Sequence, residues 1–143
     1  MHTIGQLLEG KGKDIWSIAP HATVFEALQI MAEKNVGALL VIDNGKVVGI
    51  FSERDYARKV ILKGKSSKDI SVGDLMTKEV FYIKSQNTLE KCMALMAAKH
   101  IRHMPVFENN QLIGVVTLGD VVKQIISDHE FTIRELGKYI TGH

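Results

Sequence analysis

Two short stretches of this sequence set a hydroxyl three residues before a carboxylate: Ser52 before Asp55 in "GIFSERD", and Thr117 before Asp120 in "GVVTLGD". Each stretch opens on a glycine, Gly49 or Gly114, so the pattern recurs at a distance of 114 − 49 = 65 residues. An ionised aspartate only accepts hydrogen bonds, and its two oxygens match the vicinal hydroxyls of a ribose. A hydroxyl at a helix start stands among free amides at the positive end of the helix dipole, a place that supports phosphate or sugar oxygens. The same spacing is also that of a capping pair, in which hydroxyl and carboxylate only bond each other's backbone amides. The residues by themselves leave both readings open: a helix cap, or half of a nucleoside site.

The elements that must position these groups repeat with them. Sliding the chain by 65 lays residues 22–61 over 87–126 without a gap, with nine identical pairs that include Met31/Met96, Lys34/Lys99 and Asn44/Asn109. Upstream, "IGQLL" resembles "VGDLM" at 72 − 4 = 68, so "EGKGK" holds about three extra residues. Each unit reads as an entry turn, a short strand, a helix, a hairpin and a second helix.

The first long helix starts at Thr23, with Glu26 placed to close a capping box. Val24, Ala27, Leu28 and Met31 then form one buried stripe, repeated by Leu89, Cys92, Met93 and Met96. Asn44-Gly45 and Asn109-Asn110 supply the positive φ angles of two-residue hairpins. Ser52 and Thr117 then fall at helix N-caps, with Asp55 and Asp120 at the third helical position. Domain boundaries follow as 1–64, 65–128 and a helical tail, 129–143, that packs Phe131, Ile133, Leu136 and Ile140.

A nucleoside also needs an apolar slot for its base and cations for its phosphates. Val36, Gly37 and Ala38 in "NVGAL", and Ile101, Met104 and Pro105 in "HIRHMP", can wall the slot. Arg54, Arg58 and Lys59 in the first unit, and Arg102 and His103 in the second, can meet phosphate. The units are unequal: Arg54 aligns with Gly119, while Arg102 and His103 align with Gly37 and Ala38.

The tandem repeat, "GIFSERD", "GVVTLGD", "HIRHMPV" and "VGDLMT" together resemble a pair of cystathionine β-synthase (CBS) domains, from about Ile4 to Ile126. The resemblance implies an α/β (α+β) fold of two β-α-β-β-α units related by a pseudo-twofold axis and packed through their sheets, with the C-terminal helix outside. It implies clefts for adenine nucleotides (AMP, ADP, ATP or NAD), with Asp55 and Asp120 on the ribose. Ser52 and Thr117 would contact ribose or phosphate, and Ile18 and Ile83 the base. It further implies a non-catalytic sensor that forms a homodimer and reports to a target protein. The rival readings are a structural dimerisation module with degenerate clefts and a nucleic-acid-binding regulator.

Composition bounds these readings. The chain has 143 residues, 45% hydrophobic and 24% charged, as a compact ordered protein has. Eighteen basic against 16 acidic residues is too balanced for a general nucleic-acid or membrane surface. The basic run from Arg54 to Lys68 reads as a solvated face, and the single cysteine, Cys92, as a core residue in a reducing cytoplasm. The N-terminus has no apolar run of signal or membrane-spanning length. His100 and His103 lack the companions of a metal site, and no base is aimed at Ser52 as a catalytic triad requires. No catalytic residue, metal or catalytic cofactor is expected.

Overall fold

The computed structural model describes residues 2–141, with side chains described as far as Lys138. In chain order the elements are α1 (Ile4–Lys11), β1 (Ser17–Ile18), α2 (Val24–Lys34), β2 (Ala38–Asp43), β3 (Lys46–Ser52) and α3 (Glu53–Tyr56). There follow α4 (Val72–Leu75), β4 (Ile83–Lys84), α5 (Leu89–Lys99), β5 (His103–Glu108), β6 (Gln111–Thr117) and α6 (Leu118–Thr141). After α3 the chain winds through one wider π-helical stretch, Ala57–Ile61, which buries Val60 and leaves Ile61 and Leu62 exposed.

The repeat gives two three-stranded sheets of the same topology, β1-β2-β3 and β4-β5-β6, each with one parallel and one antiparallel pairing. Both hairpins turn where the sequence places them, with positive φ at Asn44 (51°), Gly45 (77°), Asn109 (50°) and Asn110 (62°). Both carry a bulge at the same place, where Val41↔Gly49 is followed by Ile42↔Val47 and Val106↔Gly114 by Phe107↔Leu112. An inserted residue increases local twist.

Compact units do not follow the repeat in one respect. Residues up to Asp14 belong with those from Phe81 onward, and Ile15–Val80 form the other unit. Each entry helix therefore seats on the body of the other repeat. In α1 the amides of Ile4 and Gly5 donate to the carbonyls of Asn87 and Ser85; in α4 those of Val72 and Gly73 donate to Ala22 and Pro20. The twin glycines of the hairpins are explained by these helices. A Cβ on Gly49 would lie 2.5 Å from Met76 Sδ and 3.0 Å from the Thr77 carbonyl, and one on Gly114 would lie 2.9 Å from a Leu8 methyl. Glycine lets the entry segment lie directly on β3 or β6.

The cores are apolar and separate. Val24, Ala27, Met31, Leu39, Val41, Phe51 and Val60 fill one; Leu8, Leu89, Cys92, Met96, Met104, Val106 and Val121 fill the other. Burial pushes the Cys92 thiol up to about 11, as expected of a core cysteine. Met93, placed in the stripe by its spacing, is instead 36% exposed, because the α5 stripe is narrower than the sequence pattern. Thr23 Oγ1 accepts from the Glu26 amide at 3.1 Å as a cap, but the box is not closed by Glu26. Instead the amides of Val24 and Phe25 donate to carbonyls of the connecting segment, Ile70 and Ser67. The repeated lysines also have a use, Lys34 over the Trp16 ring and Lys99 over Phe81, at 4.6 and 5.0 Å.

The tail requires correction. No break separates it from the second helix of its repeat, and α6 runs for 24 residues. Phe131, Ile133 and Leu136 are 58%, 68% and 56% exposed rather than packed, since the underlying core ends near Ile125; the Ile140 side chain lies outside the described residues.

Candidate functional site

Both hydroxyl-carboxylate pairs form as caps. Asp55 and Asp120 donate their amides to Ser52 Oγ and Thr117 Oγ1 at 3.2 and 3.1 Å, and their carboxylates accept from the Ser52 and Thr117 amides at 3.0 and 3.1 Å. The first amide of each helix donates across to the start of the hairpin, Glu53 to the Gly37 carbonyl and Leu118 to that of Arg102. In this way Val36, Gly37 and Ala38 are held beside Ser52, and Ile101, Arg102 and His103 beside Thr117. The β-registers Ala38↔Ser52 and His103↔Thr117 repeat the arrangement.

Beyond the cap the two carboxylates part company. Asp55 is 7% exposed and fully engaged. Its Oδ2 accepts from the Ser52 amide and hydroxyl, at 3.0 and 3.1 Å, and its Oδ1 from the Thr77 hydroxyl and Lys59 Nζ, at 3.0 and 3.1 Å. Four donors fill the four acceptor directions of a carboxylate. A sugar diol would have to displace one of them.

Asp120 keeps an oxygen open. Its Oδ2 takes the Thr117 amide and an ion pair with Lys11, while among the described residues Oδ1 accepts no hydrogen bond, and 27% of the side chain is exposed. Burial pushes this carboxyl upward, but the bonds from Lys11 and Thr117 outweigh it and hold the group below the usual carboxylate range. Lys11 is anchored from its other side by the Val115 carbonyl, at 2.8 Å. The sequence did not single out Lys11. Its signal was the insertion in "EGKGK": α1 is eight residues long where α4 has four, and the added turn carries the lysine.

His103 lies in the same electrostatic neighbourhood. Burial, then Lys11, lowers its pKa; Asp120 pulls the other way, and Arg102 adds to the lowering. The imidazole is therefore neutral at pH 7, with a donor and an acceptor nitrogen. Gly119 stands where the first unit has Arg54, and a Cβ there would meet only Thr117 Oγ1, at 3.7 Å. Lys11 thus pairs with Asp120, His103 feels both of them, and Arg102 acts on His103, an arrangement suited to anionic oxygens beside a diol.

The remaining expected residues are distributed unevenly. Val36, Gly37, Ala38 and Ile101 are half-buried, Arg54 and Arg102 exposed. Ile18 and Ile83 are 9% and 2% exposed and belong to the two cores, as does Met104, and Pro105 is also buried. Their side chains support the strands, which leaves a base their backbone edges. Among the described residues no group of three metal-ligating side chains occurs, and no helix is long and apolar enough to cross a membrane.

Two repeated helix-strand-hairpin-helix units, each with a capped carboxylate behind its hairpin, define a tandem domain pair. A family model described as the CBS domain matches residues 12–62 and 72–127, and the chain belongs to that family. It is 37% identical to the mitochondrial CBS domain-containing protein CBSX3 of Arabidopsis thaliana, over 98% of this chain and 72% of that one. It is 31% identical to the CBS domain-containing protein YhcV of Bacillus subtilis, over 78% and 79% of the two chains. Among solved structures, a putative signal-transduction protein with CBS domains from Burkholderia ambifaria is 42% identical with a TM-score of 0.85, covering 88% of this chain and 95% of the other.

Proposed function

We propose that the chain is a non-catalytic regulatory module that binds one adenine nucleotide (AMP, ADP, ATP or NAD) at the Asp120 side and signals through a change of shape or association. The observation that carries this reading is the difference between the carboxylates: among the described residues Asp120 retains an oxygen that accepts no hydrogen bond, beside Lys11 and close enough to act on His103, whereas Asp55 is saturated by Ser52, Thr77 and Lys59. Ribose hydroxyls donate to Asp120 Oδ1; phosphate oxygens accept from Lys11, Arg102, His103 and the Gly119 amide. Another CBS domain pair, 21% identical, is solved with 5′-methylthioadenosine and S-adenosyl-L-methionine, which share the adenosine proposed here. The cationic sulfonium of the latter is disfavoured beside Lys11 and Arg102. We place the module in the cytoplasm, as a homodimer that reports to a target protein.

Isothermal titration of the full chain with AMP, ATP, NAD and S-adenosylmethionine tests the reading. Expected is saturable binding of a phosphorylated adenosine at one equivalent per chain, weakening as salt rises. Silence from all four at millimolar concentration refutes it in favour of a purely structural module.

A further inference from the structure

The turn end of the second hairpin borders a cavity of about 440 Å³, a size typical of small-molecule sites. Its wall carries two rings, a cation and a carboxylate, those of Tyr82, Phe107, Lys84 and Glu108, with the amides of Gln86 and Asn109 beside them. The strands dictate this arrangement. Ile83 points into the core, 2% exposed, so its neighbours Tyr82 and Lys84 emerge on the opposite face. The parallel register sets Lys84 beside Phe107. The Tyr82 and Phe107 rings meet edge to face, with centroids 5.5 Å apart at 77°, and 54% of Tyr82 stays exposed. The Ser85 hydroxyl, on a residue only 7% exposed, donates to Glu108 Oε1 at 2.8 Å and fixes that carboxylate. Among the described residues Lys84 and Glu108 form no ion pair with each other. The repeat supplies an internal control: at the offset 82 − 17 = 65 the first unit has Ser17 for Tyr82, Ala19 for Lys84 and Ile42 for Phe107. The first sheet forms without these side chains, so the scaffold does not need the rings or the cation.

We propose that this cavity binds a zwitterionic amino acid with an aromatic side chain. The ligand's ring lies against Tyr82 and Phe107, where aromatic contacts add to the burial of apolar area. Its carboxylate accepts from the Lys84 ammonium, and its own ammonium donates to Glu108, two opposite charges that the protein holds apart at one cavity. The side-chain amides of Gln86 and Asn109 can donate or accept, and so serve either charged group. A nucleotide is disfavoured here, because one lysine offset by a fixed glutamate gives no net attraction for phosphates. A purely apolar ligand would leave both charges unused, and a lone amine or acid would use only one of them. The cavity is also separate from the Asp120 site: Phe107 stands four residues along β5 from His103, about 13 Å at about 3.3 Å per residue. Binding here does not depend on a nucleotide at Asp120.

Titration of the full, isotope-labelled chain with L-tryptophan, followed by amide NMR shifts, tests the proposal. Saturable changes are expected at Tyr82, Lys84, Phe107 and the Asn109-Asn110 turn. Tyr82→Ala should weaken binding about tenfold or more, with circular dichroism as the check on folding. Tryptamine, which lacks the carboxylate, should bind the wild type about two- to fivefold more weakly than tryptophan, and Lys84→Ala should abolish that difference. No saturation at millimolar tryptophan, changes centred instead on Thr117 and Asp120, affinity indifferent to Tyr82→Ala, or a tryptamine penalty that survives Lys84→Ala would each overturn the proposal. So would N-acetyltryptophanamide binding as tightly as tryptophan, since it keeps the ring without either charge.

Discussion

Replacing Asp120 by asparagine isolates the carboxylate's proposed work from its structural work. Asparagine is as good a helix cap as aspartate, so its side-chain oxygen can keep the Thr117 amide bond now 3.1 Å long. What faces the open side is then an amide NH₂, a donor where ribose hydroxyls require an acceptor. A hydrogen bond to a charged group contributes about 1.5–3 kcal/mol, so affinity should fall about 10- to 150-fold. Lys11 loses its ion pair but keeps the Val115 carbonyl. The pair's members are 33% and 27% exposed, so its loss should cost no more than about 1 kcal/mol of stability. Calorimetric titration with AMP and a thermal melt, made on the same preparation, separate the two effects. A variant that binds as tightly as the wild type refutes the ribose assignment; one that binds weakly only because it unfolds would show Asp120 to be a cap and nothing more.

The counterpart at the first repeat should behave oppositely. Asp55→Ala strands Thr77, Lys59 and the Ser52 cap at a site only 7% exposed, which should cost about 3 kcal/mol in chemical denaturation while leaving the nucleotide stoichiometry unchanged. Gly49→Ala should destabilise by about 1–3 kcal/mol because a backbone carbonyl stands in its way; Gly114→Ala should cost less, its obstacle being a leucine methyl, and equal midpoints for the two would contradict this. Lys11→Met removes a positive charge that lowers the His103 pKa, so NMR titration should find that pKa raised, and ATP should lose more affinity than adenosine. The folded His103 pKa lies below its ordinary value, so the unfolded chain takes up the proton first. Its contribution to stability is therefore lost as pH falls below about 6.5 and levels off beneath the folded pKa. His103→Gln should flatten that slope in pH-dependent denaturation.

Much of the architecture was legible because it is local. The Asn44-Gly45 and Asn109-Asn110 turns, the caps at Ser52 and Thr117 and the buried stripe from Val24 to Met31 each depend on residues within a turn or two of one another. The tail misled because its periodicity is real but its partner is not the core beneath it: spacing tells which residues share a face, not what covers that face. Lys11 escaped notice because the residue it serves lies 109 positions away, 120 − 11, and nothing in a lysine's neighbours announces such a partner.

The sequence by itself determined the repeat, the two sheets and the twin hydroxyl-carboxylate caps, since hydrophobic period, turn chemistry and capping act over a few residues. Only the tertiary structure decided that the twins are unlike. The packing of the entry segments brings the Thr77 hydroxyl to close Asp55 and the lysine of α1 to stand beside Asp120, whose second oxygen accepts no hydrogen bond among the described residues. Whether a carboxylate has acceptor capacity to spare depends on donors that come from distant parts of the chain, and those meet it only once the fold is complete.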